Sequence, residues 1–143
     1  MASKNIESFR AAHDSFNRRD FDGVLKTLTD NCTYTEHPRE RTLQGKSQFR
    51  EFLEGWTKGF SDGKIINPQY LDAGDTVIAQ FTFEGTNDGP ILGIAPTGKR
   101  VSLPVCEISR YDSQGRVVAA GVYYDQMTMC VQLGLMKPLA TAA

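Results

Sequence analysis

Asp125 stands in VYYDQMTMCVQLG, residues 122–134, where an apolar strand-like run meets an apolar helix-like run. Two uses compete for its oxygens. As an N-cap it would accept a backbone N–H at the start of the following helix. As an acid/base it would have to exchange protons near neutrality, far from the pKa of about 3.9 of a solvated aspartate. Its neighbours Val122, Tyr123, Tyr124, Met127 and Met129 could supply the burial that raises such a pKa. TEHP offers His37, and a histidine can take a proton because an unperturbed imidazole has a pKa near neutrality. Tyr34 and Glu36 share one face of that extended segment, and Thr35 and His37 share the other, so only one of Glu36 and His37 can face inward. Glu107, in VSLPVCEIS, shares a face with Val101, Leu103 and Val105, which places its carboxylate in an apolar pocket or at its mouth. A carboxylate and an imidazole in such a pocket suit removal of a proton beside a carbonyl and its later delivery to an oxyanion or carbon.

The elements that must position these groups are legible in the hydrophobic spacing. Residues 4–19 carry Ile6, Phe9, Ala12, His13 and Phe16 on one helical stripe. A second helix is predicted over 21–29, with Asp20 as its N-cap and Val24, Leu25 and Leu28 inward. CTYTEHP alternates as a strand that Pro38 stops. GKSQFREFLEGWTKGF sets Phe49, Phe52, Leu53, Trp56 and Phe60 on one helical face. Phe52 and Trp56 there are candidate flat walls for a ring-bearing ligand. Strands are predicted at 64–72, 75–88, 100–112 and 116–125, with tight turns at AGD and DSQG, followed by a short final helix. Helices ahead of a run of strands imply an α+β fold, with three helices packed on a curved sheet around an apolar pocket.

The length fits one domain over residues 1–143, with 137–143 expected to fray. A net charge of −1 argues against a nucleic-acid partner. Three cysteines without CxxC spacing read as reduced thiols in a cytoplasmic protein, and no ligand spacing suggests a metal. No apolar run is long enough to span a membrane, and the start lacks the apolar segment of a secretory signal.

EHP followed by GKSQFREFLEGW, then FEGTNDGPILGIAPTGKRV, then YYDQMTMCVQLG resemble the SnoaL-like polyketide cyclases of the NTF2-like superfamily. The resemblance implies a cone-shaped barrel with a curved mixed or antiparallel sheet, a deep apolar pocket, a homodimer or homotetramer, and no metal or organic cofactor. It implies that the last-strand aspartate, Asp125 here, is the acid/base of an intramolecular aldol ring closure. The substrate class would be an apolar polyketide-, terpenoid- or steroid-like carbonyl compound, with Trp56, Tyr34, Asn87, Glu107, Phe52 and Tyr123 as contacts. Two positions depart from the family pattern. Asn87 replaces a frequent histidine in GTNDG, and Ala120 and Val122 stand where an E-x-W pattern is common. The chain is also similar to ketosteroid isomerases, whose base precedes a proline, which puts His37 at that position. Two alternatives remain open. One is an epoxide hydrolase of the same fold using Arg110, Asp112 and Asp125, and the other is a binding or dimerisation module without chemistry.

Overall fold

The computed structural model describes residues 3–139. Helix α1 (Lys4–Asn17) begins where Ser3 Oγ accepts the Ile6 N–H at 3.1 Å, and it buries Ile6, Phe9, His13 and Phe16. Its far end is tied to the sheet. The Asn17 amide donates to the Ile65 carbonyl and accepts the Ile65 N–H, both at 2.8 Å. Helix α2 (Phe21–Leu25) is capped by Asp20, as its sequence predicts, but it stops short of the predicted residue 29. Leu28 instead opens β1 (Leu28–Glu36). An apolar residue fits either period, and the deciding partner is remote in sequence, since Leu28 pairs with Val117.

After β1, a single 3-10 turn (His37–Arg39) leads into β2 (Arg41–Gln44), a strand too short to show a pattern in sequence. Helix α3 (Gly45–Gly59) follows, then β3 (Lys64–Ala73), β4 (Thr76–Thr86), β5 (Arg100–Tyr111), β6 (Val117–Tyr124) and helix α4 (Gln126–Gln132). The sheet order is β2-β1-β6-β5-β4-β3. Every pairing is antiparallel except β1 with β6, so the sheet is mixed, and it stays open with β2 and β3 as edges. Pro68 is tolerated because β3 is an edge that carries an irregularity between Ile66 and Gln69.

Side chains from α1, α2 and α3 and from the inner face of the sheet enclose an apolar interior. Register fixes a row across that face. Tyr34 on β1 lies opposite Ala120 on β6, Val122 on β6 opposite Glu107 on β5, Glu107 opposite Ala79 on β4, and Ala79 opposite Tyr70 on β3. The small side chains of Ala79 and Ala120 leave room for the large polar ones to reach each other.

The loop between β4 and β5 is pinned by Asn87, which is fully buried. Its side-chain N–H groups donate to the carbonyls of Gly59 (3.1 Å) and Gly89 (2.9 Å), and its oxygen accepts from Thr97 N (2.7 Å) and Thr97 Oγ1 (2.9 Å). Both donors and the acceptor oxygen are therefore satisfied inside the protein. The expected ligand contact at Asn87 gives way to a loop clamp. Gly89 is required for the docking, since a Cβ there would meet the Lys58 carbonyl oxygen at 2.0 Å. The loop then turns at Leu92 and Gly93, both with positive φ (55° and 76°), between the bridged Ile91 and Ile94. Replacing Asn87 by Ala leaves the Gly89 carbonyl and the Thr97 N–H without their partner, while the Gly59 carbonyl keeps the N–H groups of Asp88 and Gly89. The change is expected to cost roughly 2–3 kcal/mol, read as a lower urea midpoint at unchanged m-value.

Candidate active site

The interior holds a cavity of about 130 Å³ whose walls are aromatic and aliphatic, including Phe9, Phe52, Trp56 and Phe81. Its titratable lining groups are His13, Tyr34, Glu107, Tyr111 and Tyr124. Glu107 is the only carboxylate among the lining residues. It is held from two sides. His13 Nε2 lies 2.9 Å from Oε1, and the Tyr34 hydroxyl donates to Oε2. The other imidazole nitrogen, Nδ1, lies 2.7 Å from the Tyr70 hydroxyl. One assignment of protons satisfies all three contacts with a neutral ring. Tyr70 donates to Nδ1, Nε2–H donates to Glu107, and Tyr34 donates to the second carboxylate oxygen. Each carboxylate oxygen then keeps acceptor capacity for a ligand in the cavity.

Burial, followed by the adjacent Glu107 charge, holds the Tyr34 hydroxyl well above its usual pKa. Burial pushes Tyr70 up to about 12 and raises Tyr111 and Tyr124 as well. The tyrosines around the cavity therefore stay protonated and act as donors at neutral pH. A second carboxylate, Glu36, is fully buried at the end of β1 and accepts from the Tyr124 hydroxyl at 2.8 Å. Of the pair Glu36 and His37, it is Glu36 that points inward.

Trp56, Phe52, Tyr34 and Glu107 therefore come together around one cavity. Asp125, His37 and Tyr123 lie elsewhere. Asp125 is exposed at the N-terminus of α4, where Oδ1 accepts from Met127 N (3.0 Å) and Thr128 N (3.2 Å) and Oδ2 from Thr128 Oγ1 (2.9 Å). Those bonds, the Thr128 hydroxyl first, hold its pKa below the usual aspartate value, opposite in direction to the shift an acid/base would need. Its two apolar flanks belong to a strand and a helix that turn their buried faces away from it. His37 is exposed and lies flat on Tyr123, ring centroids 4.0 Å apart, across the surface opened by Gly121. With Tyr34 and Glu36 inward, alternation sends His37 to the outer face, where the 3-10 turn begins. Arg110, Asp112 and Asp125 do not form a set. Arg110 pairs with Ala119, whereas Tyr124, the neighbour of Asp125, pairs with Val105. Five residues of strand separate the two ends, roughly 17 Å.

His13, Tyr70 and Tyr111 are the site residues not named from sequence. The available signal was His13 on the apolar stripe of α1, since a polar ring on a buried helical face needs partners. Tyr70 and Tyr111 lie in strands whose alternation gives no hint that a hydroxyl is used. Among the described residues, no group of three or more His, Cys, Asp or Glu is placed to hold a metal ion. No helix among them is long and apolar enough to cross a membrane.

A family model described as SnoaL-like polyketide cyclase matches residues 7–133. The chain belongs to the SnoaL-like polyketide cyclase family. No curated protein matches this SnoaL-like chain. Among solved structures, one named as a SnoaL-like polyketide cyclase from a Jannaschia species superposes with a TM-score of 0.85 at 22% identity, covering 94% of each chain. AclR from Streptomyces galilaeus, named as a hydroxylase, gives 0.81 at 22% identity, over 95% of this chain and 84% of its own. IdmH from Streptomyces antibioticus, named as a polyketide cyclase, gives 0.78 at 18% identity, over 92% and 99%. At these identities the likeness shows that the SnoaL-like chain shares their NTF2-like fold.

Two substitutions separate capping from cavity chemistry. Asp125→Ala is expected to lower the urea midpoint at pH 7. Because the folded pKa is depressed, the carboxylate contributes fully above the unfolded value and loses its contribution as pH falls through the folded one. The deficit relative to wild type should therefore shrink in acid. His13→Phe removes the imidazole hydrogen bond to the largely enclosed Glu107 carboxylate and should cost roughly 1.5–3 kcal/mol at neutral pH, measured by chemical denaturation.

Proposed function

We propose that the protein is a SnoaL-like cyclase in which Glu107, held by His13 and Tyr34, is the acid/base of an intramolecular aldol closure. The observation that carries this reading is the lone carboxylate of an apolar cavity, bonded on both oxygens yet open to the interior. Glu107 takes the proton from the carbon beside a substrate carbonyl. The resulting enolate carbon bonds to a second carbonyl carbon, whose π electrons move onto its oxygen. That alkoxide takes the proton back from the Glu107 carboxylic acid, so atoms and charge balance with no oxidant. The cavity hydroxyl of Tyr111 is a donor suited to the enolate oxygen. A double-bond shift shares the first proton transfer and differs only in the carbon that receives the proton. The substrate class is an apolar carbonyl compound, and the chemistry rests on side chains alone.

Asp125 and His37, the catalytic pair expected from sequence, drop out of this reading, because one is committed to capping and the other to an external stack. The same reading keeps the homodimer or homotetramer implied by the family, which light scattering measures. The proton-transfer step is checked by deuterium uptake at the benzylic carbon of phenylacetone, a single-ring ketone, in heavy water, followed by NMR. Glu107→Gln should slow exchange by roughly 100-fold or more, within the usual range for general acid–base groups. Asp125→Asn, which still caps, should stay within about twofold of wild type. Exchange that survives Glu107→Gln and disappears with Asp125→Asn would return the role to Asp125.

A further inference from the structure

The cavity against Glu107 has a neighbour. A groove of about 470 Å³ lies outside it, bordered by Arg39, Arg41, Gln48 and Glu51, and the same two aromatic side chains, Phe52 and Trp56, line both spaces. Size decides what each can hold. The inner space, about 130 Å³, is close to the roughly 150 Å³ of an apolar cavity that accepts a benzene ring. It cannot take a multi-ring or long-chain molecule whole. The groove falls within the roughly 300–1,000 Å³ typical of small-molecule sites.

The chemistry of the two spaces also differs. The inner walls are apolar apart from the Glu107 network. The groove presents two guanidinium groups, both standing beside the buried Glu36, at 3.6 Å (Arg39) and 3.4 Å (Arg41) from its Oε1. That oxygen has no hydrogen-bond partner, so Glu36 anchors the two charges without consuming their donors. Both contacts are ion pairs longer than a good hydrogen bond, and both arginines also line the groove, so their remaining N–H groups can serve a ligand there. Glu51 is the opposing charge on the groove wall.

We propose that the groove is an outer subsite that binds the carboxylate end of an elongated amphipathic substrate through Arg39 and Arg41. The carbonyl-bearing ring then passes the Phe52–Trp56 wall and lies against Glu107. The inference rests on the cavity being the reaction site, but it concerns binding alone. Arginine supplies the paired donors that match a carboxylate in plane. The aromatic wall stacks on the segment between the two ends and separates a wet compartment from a dry one.

The test uses the full-length protein and its single tryptophan, Trp56, as the reporter. The probes are 6-phenylhexanoate, its methyl ester, and 6-phenylhexyl phosphate, titrated by fluorescence. Wild type should bind the carboxylate at least tenfold tighter than the ester, with a preference that falls as salt rises. Arg39→Gln and Arg41→Gln, made singly so that Glu36 keeps one cation, should each lower that preference several-fold while ester affinity holds. Glu51→Gln should tighten the carboxylate and leave the ester unchanged. The wild-type acid-to-ester ratio needs no variant to fold. Equal binding of acid and ester, no Trp56 response to any probe, or an acid preference untouched by both arginine variants would overturn the subsite. Tighter binding of the phosphate than of the carboxylate would overturn the assignment to a carboxylate. Glu107→Gln separates the two proposals. An acid preference retained with deuterium exchange lost supports both. Exchange that depends on Glu107, with no acid preference, removes the subsite alone.

Discussion

A carboxylate in an apolar interior governs much of this structure. Moving an ionised carboxylate out of water costs several kcal/mol unless hydrogen bonds replace the lost solvation. Glu107 receives those bonds from elements far apart in sequence: His13 from α1 and Tyr34 from β1. Tyr34 reaches it because β1 joins the sheet in parallel beside β6. His13 reaches it because α1 lies over the inner face and is clamped to β3 by the Asn17–Ile65 pair of bonds. Ala79 and Ala120 stand beside these residues in the register and present only methyl groups to the row. Helix placement, strand order and side-chain size thus converge on one charged group.

Acceptors enclosed in the interior give the tyrosines around it their partners. A phenol is apolar over most of its surface and donates one hydrogen bond at its tip. Tyr34 and Tyr70 use that tip inside the network, and Tyr124 uses it on Glu36. Burial keeps their protons in place. The interior is therefore largely apolar but furnished with donors, an environment in which developing oxygen charge is strongly stabilised.

The helices, the four-strand meander and the apolar interior were legible in periodicity, because each depends on spacing within one segment. Leu28 and β2 were not, because their assignment rests on pairing with segments remote in the chain. At the site, Glu107, Tyr34, Phe52 and Trp56 could be named from the faces they share. Asp125 misled because an aspartate between apolar runs looks the same in sequence whether it enters a pocket or caps a helix. His37 misled because the proline resemblance put it at the base position, whereas alternation with Tyr34 and Glu36 inward sends it to the outer face. His13 was visible on its stripe, but its partners lie on strands β3 and β5, and no local pattern joins them.

Helix α4 carries a consequence of its own. Asp125 bonds its first turn, and Gly134, at φ 77°, ends it, with Leu135 N reaching the Cys130 carbonyl and Gly134 N that of Val131. Between them, the Gln132 amide accepts from Ser102 N and donates to Ser102 O, at 2.8 and 2.9 Å, where β5 has run past the end of β6. Pro104 fits there, two residues on, because its missing N–H points to the same unpaired side. The string DQMTMCVQLG is thus a plug for an exposed strand edge. A sequence search keyed to it would gather chains that share a way of finishing the sheet, whatever reaction they run. The groups that meet at the cavity, at positions 13, 34 and 107, lie outside that string and in no contiguous word.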